Sequence, residues 1–246
     1  MFARRFDRRL GARLGRPHLA AFGGSLRQGA RSYLGELAAL LHQRIDVILL
    51  GLISGSAAVG IYVVGYQMVE PILALSAASG AAILALGHGD PSIERGDVTI
   101  RLVRQTATLG TIGALGAFVL APFLIPAIYG ADFGAAVDPL RILALGVVGL
   151  AIGRIGSADL MRRNMLGRMA AISSTALGIN VGLNLLLIPR LGPVGAAWSS
   201  LVSYWSHAAM SLIVVRRASG FAWRSLVPRP LELLDEVRRG AVGRSP

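Results

Sequence analysis

Apolar residues in this chain come in blocks about as long as a bilayer is thick, and nothing else in the sequence constrains the fold as tightly. An α-helix rising 1.5 Å per residue needs about 20 apolar residues to cross roughly 30 Å of hydrocarbon. Six blocks of that order follow one another, at about 32–53, 57–86, 104–125, 139–161, 169–188 and 194–215, and they fill over half of the 246 residues. Charged residues make up 15% of the chain, against about a quarter in soluble domains, so little is left for an aqueous domain. The expected fold class is all-α: an integral membrane bundle of six transmembrane helices over 32–216, between a basic cytoplasmic arm at 1–31 and a basic cytoplasmic tail at 217–246.

The breaks between blocks carry turn and stop residues. Ser54-Gly55-Ser56 is a tight turn, and a polar loop from His88 to Val103 contains Asp90-Pro91 and Gly96-Asp97. Pro126, with the Tyr129-Gly130 segment after it, is expected to end the third helix, and Pro189 the fifth. Arg162-Arg163 and Arg216-Arg217 close the fourth and sixth.

Net charge is +12, and all 25 basic residues are arginines. In a soluble protein that balance would suggest nucleic acid; in a membrane protein it reflects the concentration of basic residues in cytoplasmic loops, and no nucleic-acid partner is expected. With the N-terminal arm inside, 21 arginines fall on cytoplasmic segments and one, Arg190, outside. Both termini are therefore expected in the cytoplasm of a cell with the chain in its inner membrane. No leader is expected, because the first residues are arginine-rich. Cysteine is absent, and His18, His42, His88 and His207 lack metal-ligand spacing. No nucleophile elbow, phosphate loop or paired catalytic carboxylates are present, so the reading is of a non-enzyme without cofactor or metal.

Ionisable groups within a span normally face a bundle interior or a wet cavity. Tyr62, Tyr66 and Glu70 recur at four-residue spacing on the second span, with Gln67 on the same broad face. Pro71 follows Glu70 and leaves the Gln67 carbonyl without its helical donor, so a kink is expected there. In the first span His42 and Asp46 are one turn apart and can pair, while Arg44 points elsewhere. Arg154 has no carboxylate one turn away on either side and either snorkels or lines a cavity; Asp138 and Arg141 form a local ion pair near the outer surface. The expected cavity lining is Glu70, Gln67, Tyr66, Tyr62, Arg44, Asp46 and Arg154. Helix packing is expected at Asn180 and Asn184, at Gly178 and Gly182, at Gly149 and Gly153, and at Gly195 and Ser199, where small residues let backbones approach in lipid.

The run from Asn180 and Asn184 through Ile188-Pro189 and Gly192 to Gly195-Ala196-Ala197 resembles a signature of polysaccharide flippases. These belong to the multidrug/oligosaccharidyl-lipid/polysaccharide exporter superfamily. Arg44-Ile45-Asp46 through Gly51, Gly60 through Glu70, and Tyr129-Gly130 through Phe133 with Pro139 to Leu143 agree in order. The resemblance implies the C-terminal six-helix lobe of a two-lobe transporter that carries lipid-linked oligosaccharide across the cytoplasmic membrane by alternating access. The partners it implies are that lipid-linked oligosaccharide, membrane lipid, and an N-terminal lobe on a separate chain or a second copy in a homodimer. Relatives often carry Tyr-Arg-x-x-Glu where this chain has Tyr66-Gln67-Met68-Val69-Glu70, so no pyrophosphate cation is implied there. The rival readings are half of a cation-coupled drug exporter, with Glu70 or Asp46 as the ion-binding carboxylate, and a non-transporting membrane scaffold or gene remnant.

Overall fold

The computed structural model describes residues 19–85 and 96–227. Most of the basic arm, the polar loop with His88 and Arg95, and the tail from 228 lie outside these ranges. The described residues form α1 (Leu19–Ala85), α2 (Asp97–Tyr129), a 3-10 turn (Ala131–Ala136), α3 (Val137–Arg162), α4 (Leu166–Leu191), α5 (Pro193–Ser219) and a short 3-10 turn (Trp223–Leu226).

α1 is two helices in series. Its one non-helical residue is Gly55, at φ 82 and ψ 178, a conformation that an L side chain resists. The limbs on either side, 19–54 and 56–85, are the first two expected spans. The first limb starts at Leu19, so the helix runs upstream of the expected boundary at residue 32. Pro71 does not break the second limb: backbone dihedrals stay helical through it, and the break in α1 is at Gly55. Pro126 and Pro189 likewise lie inside α2 and α4 and do not end them. Proline removes one helical hydrogen bond, and Pro71, Pro126 and Pro189 are all exposed, so the helix continues past each on its remaining bonds. Glycines end these helices instead: Gly130 at φ 96, donating to the Pro126 carbonyl at 3.0 Å, and Gly192 at φ 53.

α3 lies at the centre. Nearly every residue from Pro139 to Gly156 is buried among both limbs of α1, α2 and α5. α5 crosses it on a stripe of glycines. A β-carbon at Gly149 would sit 2.9 Å from the Trp205 ring, one at Gly156 2.6 Å from the Ser211 hydroxyl, and one at Gly153 would collide with His207. Trp205 lies flat on Gly149 and donates its indole N–H to the Leu145 carbonyl at 3.1 Å. At the α4–α5 corner a β-carbon on Gly195 would lie 2.5 Å from the Leu187 carbonyl oxygen, and buried Ser199 bonds back to Gly195 at 2.9 Å. Gly178 and Gly182 are different: both face outward, and a β-carbon at either would meet no other element among the described residues within 4 Å. Asn180 turns inward, and two residues of helix rotate about 200°, so the glycines beside it are carried to the opposite face.

Four helical segments, Gly35–Ala85, Asp97–Tyr129, Ala131–Arg162 and Leu166–Leu191, are long and apolar enough to cross a membrane. α5 is 27 residues long but falls short in apolarity. Its polar groups explain why. Ser199, Ser200, Ser203, His207 and Ser211 are buried, while Trp198, Val202, Trp205 and Ile213 face out. Apolar outside and polar inside is the reverse of a water-soluble helix, and it fits a bundle whose solvent is lipid. The molecule is an all-α membrane bundle.

Candidate functional site

Polar side chains gather in three connected places. The first is closed. Asp46 on the first limb is fully buried, and its Oδ2 accepts the Tyr62 hydroxyl from the second limb and the Ser200 hydroxyl from α5, the latter at 2.9 Å. Its Oδ1 takes the Val47 amide at 2.8 Å. The expected Asp46–His42 pair is not what forms, because Asp46 finds its donors on other helices. Ser203 continues the network: its hydroxyl accepts from the Asn180 amide at 3.0 Å, and the Asn180 side-chain oxygen accepts from Asn184 at 2.8 Å.

The second place is open. Arg44 and Glu70 approach to 4.0 Å across the two limbs with 60% and 56% of their side chains exposed. The Arg44 guanidinium also lies 5.3 Å from the centre of the Tyr66 ring. Gln67 is exposed beside them and accepts the Tyr129 hydroxyl at 3.1 Å. Nearer the α2–α3 connection, Arg141 makes the expected contact with Asp138 at 3.9 Å and donates to the Phe118 carbonyl at 3.2 Å.

The third is a cavity of about 370 Å³ between the first limb, the end of the second, α3, α4 and α5. Arg154 lines it and bonds the side chain of Gln43. His42 and His207 line it too, with ring centres 5.7 Å apart, and His207 Nε2 lies 3.2 Å from the Ser157 hydroxyl. His42 also meets Tyr204 edge to face at 5.2 Å. Among the described residues His42 Nε2, His207 Nδ1 and the Tyr204 hydroxyl have no hydrogen-bond partner.

The structure thus distributes the seven expected lining residues. Arg44, Gln67 and Glu70 come together on the open face with the buried Tyr66 ring beneath Arg44, Asp46 and Tyr62 in the closed network, and Arg154 in the cavity. His207, Gln43 and Ser157 were not singled out as site residues. The repeat Ser199, Ser203, His207, Ser211, one polar residue per turn, was the available signal. Asp159 was missed as well. It holds Arg162 at 2.9 Å and Arg163 at 2.7 Å, and Arg163 reaches Ser219 at 2.6 Å, so one of two arginines read as loop charges ties the end of α3 to that of α5. No group of three or more metal-ligating side chains occurs among the described residues.

No family model matches the chain, and no curated protein matches it closely enough to inform the reading. Solved structures do match. One is an outward-facing multidrug resistance MATE family transporter of the MOP superfamily, at 18% identity and a TM-score of 0.57 over 87% of this chain and 50% of that one. The chain shares its fold with half of such a transporter. A MOP superfamily transporter from Pyrococcus furiosus, described as having a binding pocket of reverse polarity that suggests a different function, matches with the same figures. A MATE protein carrying a point substitution matches at 19% identity and a TM-score of 0.56, over 78% of this chain and 44% of that one. The chain spans about half the length of these structures.

Proposed function

We propose that this chain is one lobe of an alternating-access membrane transporter, and that its cargo is a lipid-linked oligosaccharide. The observation that carries the transport reading is the Arg44–Glu70 face. By helix rise the two residues stand about 17 and 22 Å from the Gly55 turn, inside a hydrocarbon layer of roughly 30 Å. Both are more than half exposed. Lipid does not solvate such groups, so the face calls for a polar cavity closed by a second lobe, on another chain or a second copy of this one. That this chain covers 50% of each of two transporter structures it resembles supports that arrangement.

The sugar-lipid cargo rests on the flippase-like run from Asn180 to Ala197. Its residues build the α4–α5 corner, through the Asn184–Asn180–Ser203 bonds, the Gly192 turn and the close approach at Gly195. A drug-exporter half is the second reading, favoured by the likeness to a multidrug resistance transporter. In this proposal six spans cross the inner membrane with both termini cytoplasmic. α5 counts as a span because its outward face is apolar although its sequence is not.

Deleting the gene separates the two cargoes. The expected result is loss of surface polysaccharide with unchanged sensitivity to cationic drugs. Normal polysaccharide with raised drug sensitivity overturns the sugar reading in favour of the exporter.

A further inference from the structure

α2 carries two prolines four residues apart near its C-terminal end, Pro122 and Pro126. Proline has no N–H, so the Phe118 and Pro122 carbonyls each lose the donor that an α-helix supplies from four residues on. That spacing puts the two missing bonds one above the other on one side of the helix. The helix continues through both prolines, but its last two turns are joined to the rest by an incomplete ladder. Beyond this pivot little holds the segment 122–129. Ile125 is its one buried residue, while Phe123 and Ile128 are exposed. Gly130 follows at φ 96, and a β-carbon there would meet nothing within 4 Å, so the segment ends on backbone with open space around it.

Two side-chain bonds fix the segment in place. Arg141, one turn into α3, donates its Nε–H at 3.2 Å to the Phe118 carbonyl, the one that Pro122 leaves bare. The guanidinium thus stands in for the missing backbone donor, and a charged donor makes a stronger bond than a neutral amide. The same guanidinium lies 5.2 Å from the centre of the Phe118 ring and 3.9 Å from the exposed Asp138 carboxylate. At the far end of the segment the Tyr129 hydroxyl donates to Gln67 Oε1 at 3.1 Å. Gln67 is exposed one turn before Glu70, so Tyr129 covers one edge of the open Arg44–Glu70 face. A tilt of 122–129 about the prolines would break the Tyr129–Gln67 bond and uncover that edge.

We infer that 122–129 is a hinged flap on the edge of the open face. Arg141 is a positioning residue that sets the hinge through the Phe118 carbonyl, and Tyr129 is the latch that closes on Gln67. The flap's use as a gate for cargo rests on the transport reading proposed above; the hinge and the latch do not.

The test is hydrogen–deuterium exchange on the purified full chain in detergent, read at the backbone amides of 123–130. Arg141→Met should speed exchange there on the order of tenfold and leave α4 and α5 unchanged. Pro122→Ala restores the helical donor to the Phe118 carbonyl. It should slow exchange, and in its background Arg141→Met should have no further effect. Phe118→Leu keeps the carbonyl and Asp138→Asn keeps the arginine, so neither should reproduce the Arg141→Met result. Tyr129→Phe and Gln67→Leu should each speed exchange, and the two together no more than either alone. An Arg141→Met effect that persists in the Pro122→Ala background, or that Phe118→Leu or Asp138→Asn matches, overturns the hinge. Additive effects of Tyr129→Phe and Gln67→Leu overturn the latch. The chain has no cysteine, so Tyr129→Cys with Gln67→Cys gives a clean pair for a bifunctional thiol crosslinker. Joining them should cut transport on the order of tenfold against the same protein uncrosslinked. Undiminished transport overturns the gate. Absence of transport before crosslinking counts against the proposed function alone, and exchange still decides the hinge and the latch.

Discussion

Asp46 holds three helices together through two oxygens, and its partners show what sequence spacing can and cannot reveal. Its position inside an apolar block marked it as an inward-facing group. The natural partner at helical spacing was His42, yet the donors are Tyr62, Ser200 and the Val47 amide, two of them on other helices. Contacts 16 and 154 residues apart leave no periodic trace along one helix. Tyr62→Phe deletes one donor and leaves the other two; such intramembrane bonds average about 0.6 kcal/mol and reach about 1.7. A small fall in thermal unfolding midpoint in detergent is expected. Asp46→Leu leaves the Tyr62 and Ser200 hydroxyls only each other, 3.2 Å apart, and strands the rest of their hydrogen-bonding capacity in the core; it should lower the midpoint further, on the order of 1–3 kcal/mol of stability. Equal midpoints for the two variants would show that the carboxylate does not organise this network. Glu70 presents the opposite case, exposed and paired only loosely with Arg44. Glu70→Gln should leave stability within about 0.5 kcal/mol, as exposed substitutions usually do, while lowering surface polysaccharide at unchanged protein level. Normal polysaccharide in that variant removes Glu70 from the proposed cavity.

Between helices, the same four-residue glycine spacing does two different things. Gly149 and Gly153 let α5 lie against α3, with the Trp205 ring on one and His207 on the other. Gly178 and Gly182 have the same spacing on α4, and a β-carbon at either would meet no other element among the described residues. Spacing fixes that two residues share a face; it does not fix which way that face turns. The neighbouring Asn180 and Asn184 held that information, since an amide in a membrane helix goes inward and sends the glycines beside it outward. Gly153→Val forces bulk into the α3–α5 contact and should cost 1–3 kcal/mol or more, about the usual range for overpacked cores. Gly182→Val should leave the detergent melting curve unchanged. If Gly182→Val instead dissociates an oligomer, the outward α4 face is where a second lobe docks. Proline was misread at this scale for a related reason. Its local penalty argues for a helix end, but at Pro126 and Pro189, both exposed, the backbone stays helical until a glycine with positive φ stops it.

For the molecule as a whole, the order and rough length of the helices were legible because hydrocarbon thickness sets them directly. The arrangement of polar groups among helices was not, because it depends on which faces meet. The proposed orientation rests on the arginines, 21 on one set of segments against one on the other. Fusions of a cytoplasm-active reporter at residues 1 and 246 should both be active, and one after Phe133 inactive; activity at Phe133 would break the six-span arrangement. The inverted polarity of α5 bears on biogenesis too. A segment that hides five serine and histidine side chains inside a finished bundle must still leave the translocon before the bundle exists. Presented singly, α5 is a weak signal for release into the bilayer. Only Gly192 separates it from the more apolar α4, so the two can enter as one helical hairpin, with Asn180 already beside Ser203 to cover its amide. In a glycosylation-mapping assay α5 alone should pass through the translocon, whereas α4 and α5 together should insert, and a flexible spacer placed after Gly192 should reduce that insertion.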